Sequence, residues 1–443
     1  MNLFHLLEAR RDAGRPVRAG LVGAGKFGSM FLAQVPSTPG LEVPVIADLS
    51  PERARDACAR VGWEPERIAA TRFTDSGAEL IADPSVEVVI EATGNPAAGL
   101  AHGLCALEQG RHMVMVNVEA DVLAGPLLAE RFRRAGLVWS MAYGDQPALV
   151  AEMVDWARAA GFSVAAAGKG TKYLPEYHAV TPDDVWRHYG LSADEAAAAG
   201  MNSQMFNSFL DGTKSAIEMA AIANACDLRA PSGGLAFPPA GAEELQDVLR
   251  PVSLGGVLEG EGMVEVVSSL HRDGSAVERD LRWGVFVVLK AQNDYAAACF
   301  RQYGLPVDAS GRYAAMYKPY HLIGMELGIS VLSAALRGEP TGQARGFRAD
   351  AVAVAKRDLA AGERLDGEGG YTVWGRLMPA ADSLAMAALP IGLAADVELL
   401  RPVRRGEVLR QSDVALDNSA PALALRREME KAGSARAQRP APA

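Results

Sequence analysis

Cysteine is scarce. Cys58, Cys105, Cys226 and Cys299 are spread over 443 residues with no CxxC pair. This argues against a disulfide framework and against a cysteine-based structural zinc site. Long apolar runs are missing too. No stretch reaches the roughly 18–20 apolar residues of a membrane span. The charged, amphipathic start, MNLFHLLEARRDAGRPVRAG, has no apolar core followed by a small-residue cleavage site. The expectation is a cytoplasmic protein. Basic excess is absent as well: 44 Lys+Arg against 54 Asp+Glu give a net charge of −10 and a pI near 5.4. That balance disfavours nucleic acid and an anionic membrane surface as partners. It leaves a small molecule, and an anionic one needs a local cluster of lysine or arginine.

What is present is a globular composition, 49% hydrophobic and 22% charged, over a length that predicts two or three domains. After Pro16 the run VRAGLV predicts a strand. Gly23-Ala24-Gly25-Lys26-Phe27-Gly28 follows and opens a helical pattern, SMFLAQV. A second strand, LEVPVIAD, ends at Asp48, about 20 residues after Gly28, which is the spacing of the dinucleotide fingerprint. Gly23 permits the tight turn, Gly25 lets the backbone approach a pyrophosphate, and Gly28 lets helix pack on strand. Lys26 and Phe27 begin the helix whose N–H groups would meet the phosphates. Asp48 would take the ribose hydroxyls and favours NAD, whereas the nearby Arg53 and Arg55 offer a 2′-phosphate site, so the cofactor reads as NAD(P)H.

A third strand, VEVVIEATGNP, breaks at Thr93 and Gly94, which we expect beside the nicotinamide ribose. HMVMVN and LVWSMAYGDQP are two more strands. Alternating strands and helices predict an α/β fold with a doubly wound parallel Rossmann sheet over residues 15–146. An α+β catalytic and dimerisation domain is expected over 147–341, from the strands FSVAAAG, GMVEVVSSLHR and RWGVFVVLKA and a long helix, YHLIGMELGISVLSAAL. Glycine-broken short strands predict a small all-β module over 342–420, and the polar tail, 421–443, reads as disordered.

The stretch GKGTKYLPEYH reads as a strand ending in an anion-binding corner. Lys169 and Lys172 would grip a substrate phosphate, His178 would donate to it or act as an acid, and Lys290 would add a third cation. Asp145, in the turn after the fifth strand, and Glu119 lie at the carboxyl edge of the sheet. Should the reaction use Mg²⁺ or Mn²⁺, Asp145 with Glu119 or Glu218 is the oxygen set on offer.

These segments, in this order, resemble the homoserine dehydrogenase-like oxidoreductases that append a C-terminal SAF (β-clip) module. The resemblance rests on VRAGLVGAGKFG, VVIEATGNP, MVMVNVEAD, AYGDQP, DGTKSAIEMA and the final AKRDLAAGERL…RPVRRGEVLRQSDV. Homoserine dehydrogenases carry an Asn-Lys pair where this chain has Asn117-Val118-Glu119, without the lysine. Asn117 is grouped with the cofactor residues and Glu119 with the catalytic ones. The family's Asp…Lys pair is matched, one residue shorter, by Asp211 and Lys214. Lys214 would polarise a carbonyl oxygen and Asp211 would orient it from the same helix face. AYGDQP, GKGTKYLPEYH and FNSFLDGTKS are similar to the active-site segments of the subgroup like 1-deoxy-D-xylulose 5-phosphate reductoisomerase. The resemblance implies a homodimer that reduces and rearranges a phosphorylated or polyhydroxylated substrate, on the route to isoprenoids. The alternatives are reduction of aspartate semialdehyde and a non-catalytic NAD(P)-binding regulatory protein.

Overall fold

The computed structural model describes residues 2–198 and 200–437. They form two compact units. Unit 1 gathers residues up to Glu152 with His321–Arg345 and Ala424–Met429; unit 2 gathers Met153–Tyr320, Gly346–Leu423 and the residues from Glu430 on.

Unit 1 is built on strands β1 (Val17–Val22), β2 (Leu41–Ala47), β3 (Arg72–Thr74), β4 (Val88–Glu91), β5 (His112–Met115) and β6 (Trp139–Met141). They pair in the order β3-β2-β1-β4-β5-β6, all parallel. The order reverses beside β1, which puts the ends of β1 and β4 at the switch point where such sheets bind ligands. A parallel sheet covered on both faces needs near-continuous apolar strands, and β4 is buried throughout. The helix expected to start at Tyr320 is shorter, Gly328–Arg337. Its buried Val331, Leu332 and Ala334 join the apolar core of β1, β2 and β4, and this is why residues 321–345 belong to unit 1.

Unit 2 holds β7 (Ser163–Thr171), β8 (Met263–Ser268), β9 (Val285–Lys290) and β10 (Tyr313–Lys318) in the order β10-β9-β7-β8. β7 runs parallel to β8 and antiparallel to β9. Against this sheet lies the helix Thr213–Cys226, in which every residue except Lys214 is buried. A helix buried on all sides needs apolar neighbours all round. β7 and β8 cover one side; β11 (Ala349–Ala355) and β13 (Val373–Pro379) cover another, and β12 (Arg364–Asp366) pairs with β14 (Ala395–Glu398).

Two expectations are corrected. The third segment is not purely β, because Ala380–Met386 forms a helix after β13. The tail expected to be disordered forms the helix Pro421–Ala437, with Leu423, Leu425 and Met429 buried. Ala422, Leu425 and Met429, spaced three and four apart and buried, give the segment a face that repays ordering. Its last residues, 438–443, lie outside the described ones. No described helix is long and apolar enough to cross a membrane.

Candidate functional site

The cofactor residues of unit 1 are mostly backbone. Gly23 has φ +96° and an added Cβ would sit 2.6 Å from the Ala92 carbonyl oxygen. A Cβ on Gly28 would sit 2.4 Å from Gly23 O, so turn and helix could not close together. Around Gly25 a Cβ would meet nothing within 4 Å. The helix Lys26–Gln34 starts there with no side-chain cap, and its first intrahelical bond of this turn is Ser29 N–H to Gly25 O. The N–H groups of Lys26 and Phe27 at the positive helix end therefore face open space, which suits a pyrophosphate.

Asp48 closes the turn from β2. Its carboxylate accepts from Ala24 N–H and Ser50 N–H, both at 3.0 Å, and lies 2.6 Å from the Arg53 guanidinium. Burial pushes its pKa up, but those donors outweigh it and hold the group below the usual carboxylate range. The residues thus fit a dinucleotide: an uncapped glycine turn and an ionised acid at the second strand end.

At the end of β4, Thr93 and Gly94 (φ +71°) form the expected turn. It is braced by Glu91, a fully buried acid that accepts from the Thr93 N–H and hydroxyl and lies 3.4 Å from His102 Nδ1. Asn117 is buried; its Oδ1 caps the helix Val118–Arg134 through Ala120 N–H, while its buried Nδ2 has no hydrogen-bond partner. Glu119 lies half-buried in the first turn of that helix. Asp145 is buried, and its Oδ1 accepts the Gln146 N–H where the helix Gln146–Ala159 begins.

In unit 2 the structure rearranges the predicted corner. β7 continues to Thr171, so Gly168 and Gly170 lie inside the strand, not at its end. They are glycine because neighbouring backbone comes close: a Cβ would sit 1.8 Å from Glu265 O at one and 1.9 Å from Leu281 O at the other. Lys169 lies within β7 and Lys172 just past its end. Lys169 is buried and ion-paired with Glu218 of the Thr213–Cys226 helix. Lys172 donates to the His188 carbonyl, and burial, with Arg282 nearby, pushes its pKa down. The open two-lysine grip is therefore not formed. Lys290 cannot join them either. It faces Ser163 in the register while Lys169 faces Val285, five residues away along β9, and it pairs with Glu261 at 2.6 Å.

What does gather is one face of the buried helix. Lys214 and Glu218 are one turn apart on it, and Glu218 carries Lys169. Lys214 is the one half-buried residue of that helix. Asp211 does not share its helix. The chain breaks at Gly212 (φ +91°), and Asp211 ends the preceding helix, Ser203–Leu210. Its Oδ1 accepts Thr213 N–H at 2.9 Å, and its Oδ2 lies 2.8 Å from Lys356 Nζ. Lys356, buried, also donates to Val180 O and Gly370 O. Asp211 is thus a structural anchor for β11 rather than an orienter of Lys214.

His178 donates from Nδ1 to the Asp211 carbonyl (2.6 Å) and accepts at Nε2 from Tyr173 OH (3.0 Å). Burial keeps its pKa below the usual histidine value, with Lys356 and Arg376 acting the same way against the pull of Asp211. The ring is neutral and already paired, stacked on Trp374 at 3.8 Å. No three His, Cys, Asp or Glu side chains gather as metal ligands among the described residues, and Glu218 is taken by Lys169. Sequence reasoning missed Lys356, Glu91 and Glu265. The two acids had a readable signal, a carboxylate inside an apolar strand.

Residues 17–117 match the oxidoreductase family with an NAD-binding Rossmann fold. Residues 144–327 match the catalytic domain of the oxidoreductase DRL. The chain is 32% identical over 146 residues to the 1-deoxy-D-xylulose 5-phosphate reductoisomerase of Paracoccus denitrificans (strain Pd 1222), covering 31% of this chain and 36% of that protein. It is 27% identical over 171 residues to the protein of the same name from Heliobacterium modesticaldum (strain ATCC 51547 / Ice1), covering 38% and 42%. The matched part thus spans well under half the length of these relatives. Among solved structures, a probable dehydrogenase from Thermotoga maritima aligns with 73% of this chain and 90% of its own at 13% identity and a TM-score of 0.37. With a Rossmann domain of the one kind and a catalytic segment of the other on a single chain, this protein is an NAD(P)-dependent oxidoreductase.

Proposed function

We propose that this enzyme reduces and rearranges a small phosphorylated ketose, with 1-deoxy-D-xylulose 5-phosphate as substrate and 2-C-methyl-D-erythritol 4-phosphate as product. The single observation that carries the reading is Lys214, half-open at the start of a helix otherwise buried, one turn from the Lys169–Glu218 pair. The names of the two curated relatives support the substrate class.

The rearrangement moves a carbon–carbon bond and leaves an aldehyde, which a hydride then reduces. The bound nicotinamide supplies that hydride. Lys214 places an ammonium where a carbonyl oxygen gains charge and returns a proton to the alkoxide. Glu218, one turn along, fixes the Lys169 side chain beside that helix face through their ion pair. Asp145 and Glu119 remain candidate acids in this reading, and the resemblance of residues 342–420 to a SAF module and the homodimer belong to it as well.

The test is purified enzyme with NADPH or NADH and 1-deoxy-D-xylulose 5-phosphate, followed by cofactor absorbance and product analysis. Oxidation of the cofactor with formation of the methylerythritol phosphate is expected. Lys214→Ala should lower kcat about 100-fold or more with cofactor affinity unchanged. Brisk reduction of aspartate semialdehyde with no reaction on the ketose phosphate would overturn the substrate. Cofactor binding without turnover of either would favour a regulatory protein.

A further inference from the structure

We infer that unit 2 holds a second ligand site, for a small organic oxyanion with a flat body, in the cavity walled by Trp374, His178, Phe237 and Arg376. This inference stands whether or not the ketose phosphate is turned over, because the cavity has none of Lys169, Lys214 and Glu218 in its lining.

The cavity measures about 280 Å³, near the lower end of small-molecule sites. Its walls come from six separate stretches: His178, the helix start from Gly212 to Ala216, the loop from Gly233 to Phe237, Val354 of β11, β13, and Gly406. Two ring stacks supply flat surfaces, Trp374 on His178 at 3.8 Å and Tyr173 on Phe237 at 3.9 Å. Such faces take a planar apolar or π-rich body.

Charge in the cavity is one-sided. Arg376 donates to the Gly233 carbonyl at 2.8 Å, and no carboxylate lies within ion-pairing distance of it among the described residues. Of the acids around it, Asp211 is paired with Lys356, and Glu265 accepts the Ala236 and Phe237 N–H groups. A guanidinium in a cavity with no acid partner is suited to a bidentate carboxylate or phosphate.

The wall is also held in place. Phe237 has φ +50°, a strained conformation for a bulky residue. The buried Glu265 carboxylate accepts the N–H groups of Ala236 and Phe237, while Arg272 donates to both their carbonyls. Strain fixed from beneath in this way is what a preformed ligand wall requires.

Calorimetric titration of the full chain with benzoate, phenyl phosphate and inorganic phosphate tests the site. Benzoate or phenyl phosphate should saturate at millimolar concentration or below, and inorganic phosphate should not; which of the two flat anions binds tighter identifies the headgroup. Arg376→Gln should weaken binding about 10-fold or more, and Lys214→Ala should leave it unchanged. Should Arg376→Gln not fold, a crystal soaked with the tighter anion answers the same question by showing density against Trp374 and Arg376. No binding of either flat anion, binding lost in Lys214→Ala rather than Arg376→Gln, or density elsewhere would overturn the proposal.

Discussion

In unit 1 the cofactor turn is held by short connections. Ala24 bonds to Asp48, 24 residues on, and Asp48 bonds to Ser50, two further. Nearly every group in it is a backbone atom or a glycine. The charged groups of unit 2 are held by long connections. Lys169 meets Glu218 across 49 residues, and Lys356 reaches Val180 across 176. Here the groups are buried side-chain charges. The first arrangement depends on a few backbone angles and should tolerate change at its open positions. The second depends on pairs, and losing either partner strands a charge without water.

The largest contrast is expected at Lys356. Lys356→Met leaves the Asp211 carboxylate fully buried with no counter-charge. Breaking such a pair from one side costs about 3–5 kcal/mol, measured by chemical denaturation. Asp211→Asn together with Lys356→Met should recover part of that loss, since the neutral amide still accepts Thr213 N–H. A double variant no better than the single one would show that the pair does not act as a unit.

Gly25 supplies the opposite case. Its φ of −69° suits any residue, and a Cβ there meets nothing. Gly25→Val should leave stability within about 0.5 kcal/mol. The same side chain would occupy the space into which the first-turn N–H groups point. Affinity for NADH and NADPH, followed by fluorescence titration, should fall about 10-fold or more. Unchanged cofactor affinity would mean that the dinucleotide does not use this turn.

This contrast also explains what could be read in advance. The glycine fingerprint, Asp48 and the strand–helix alternation are local patterns, and the six-stranded parallel sheet follows from them. The lysine corner misled because a strand interior and a strand end look alike in sequence. In sequence Gly168 and Gly170 read as the end of a strand at an anion-binding corner, yet they serve the close approach of Glu265 O and Leu281 O. Asp211 and Lys214 have helical spacing, but Gly212 breaks the helix between them. Nothing in the neighbourhood of Asp211 points to Lys356, because that pairing is decided by how β11 packs on a buried helix. The tail was misjudged for a related reason: its composition is polar, while its few apolar residues are spaced to cover one face.

The smallest expected effect is in the pH response, where Asp48 of unit 1 and Glu265 of unit 2 should differ in sign. Asp48 in unit 1 is held below its ordinary value, so the stability it contributes is present above about 3.8 and is lost as pH falls through its folded value. Glu265 in unit 2 runs the other way. Burial raises it from 4.5 to about 7, against the N–H groups of Val266, Ala236 and Phe237 and the charge of Arg272. Between those two values the folded protein binds a proton that the unfolded chain has released. Its contribution is therefore full below about 4.5 and declines as pH rises through about 7. Calorimetric melting from pH 5 to 8 should show unit 2 losing a few degrees toward the alkaline end, while in unit 1 the buried Asp121, raised to about 6, gives a decline of the same sign that ends at lower pH. Glu265→Gln should flatten the decline, because the amide does not titrate, whatever it does to the overall stability. A slope that persists in Glu265→Gln would assign the response to another group and leave the loop at Phe237 held by a permanently ionised carboxylate.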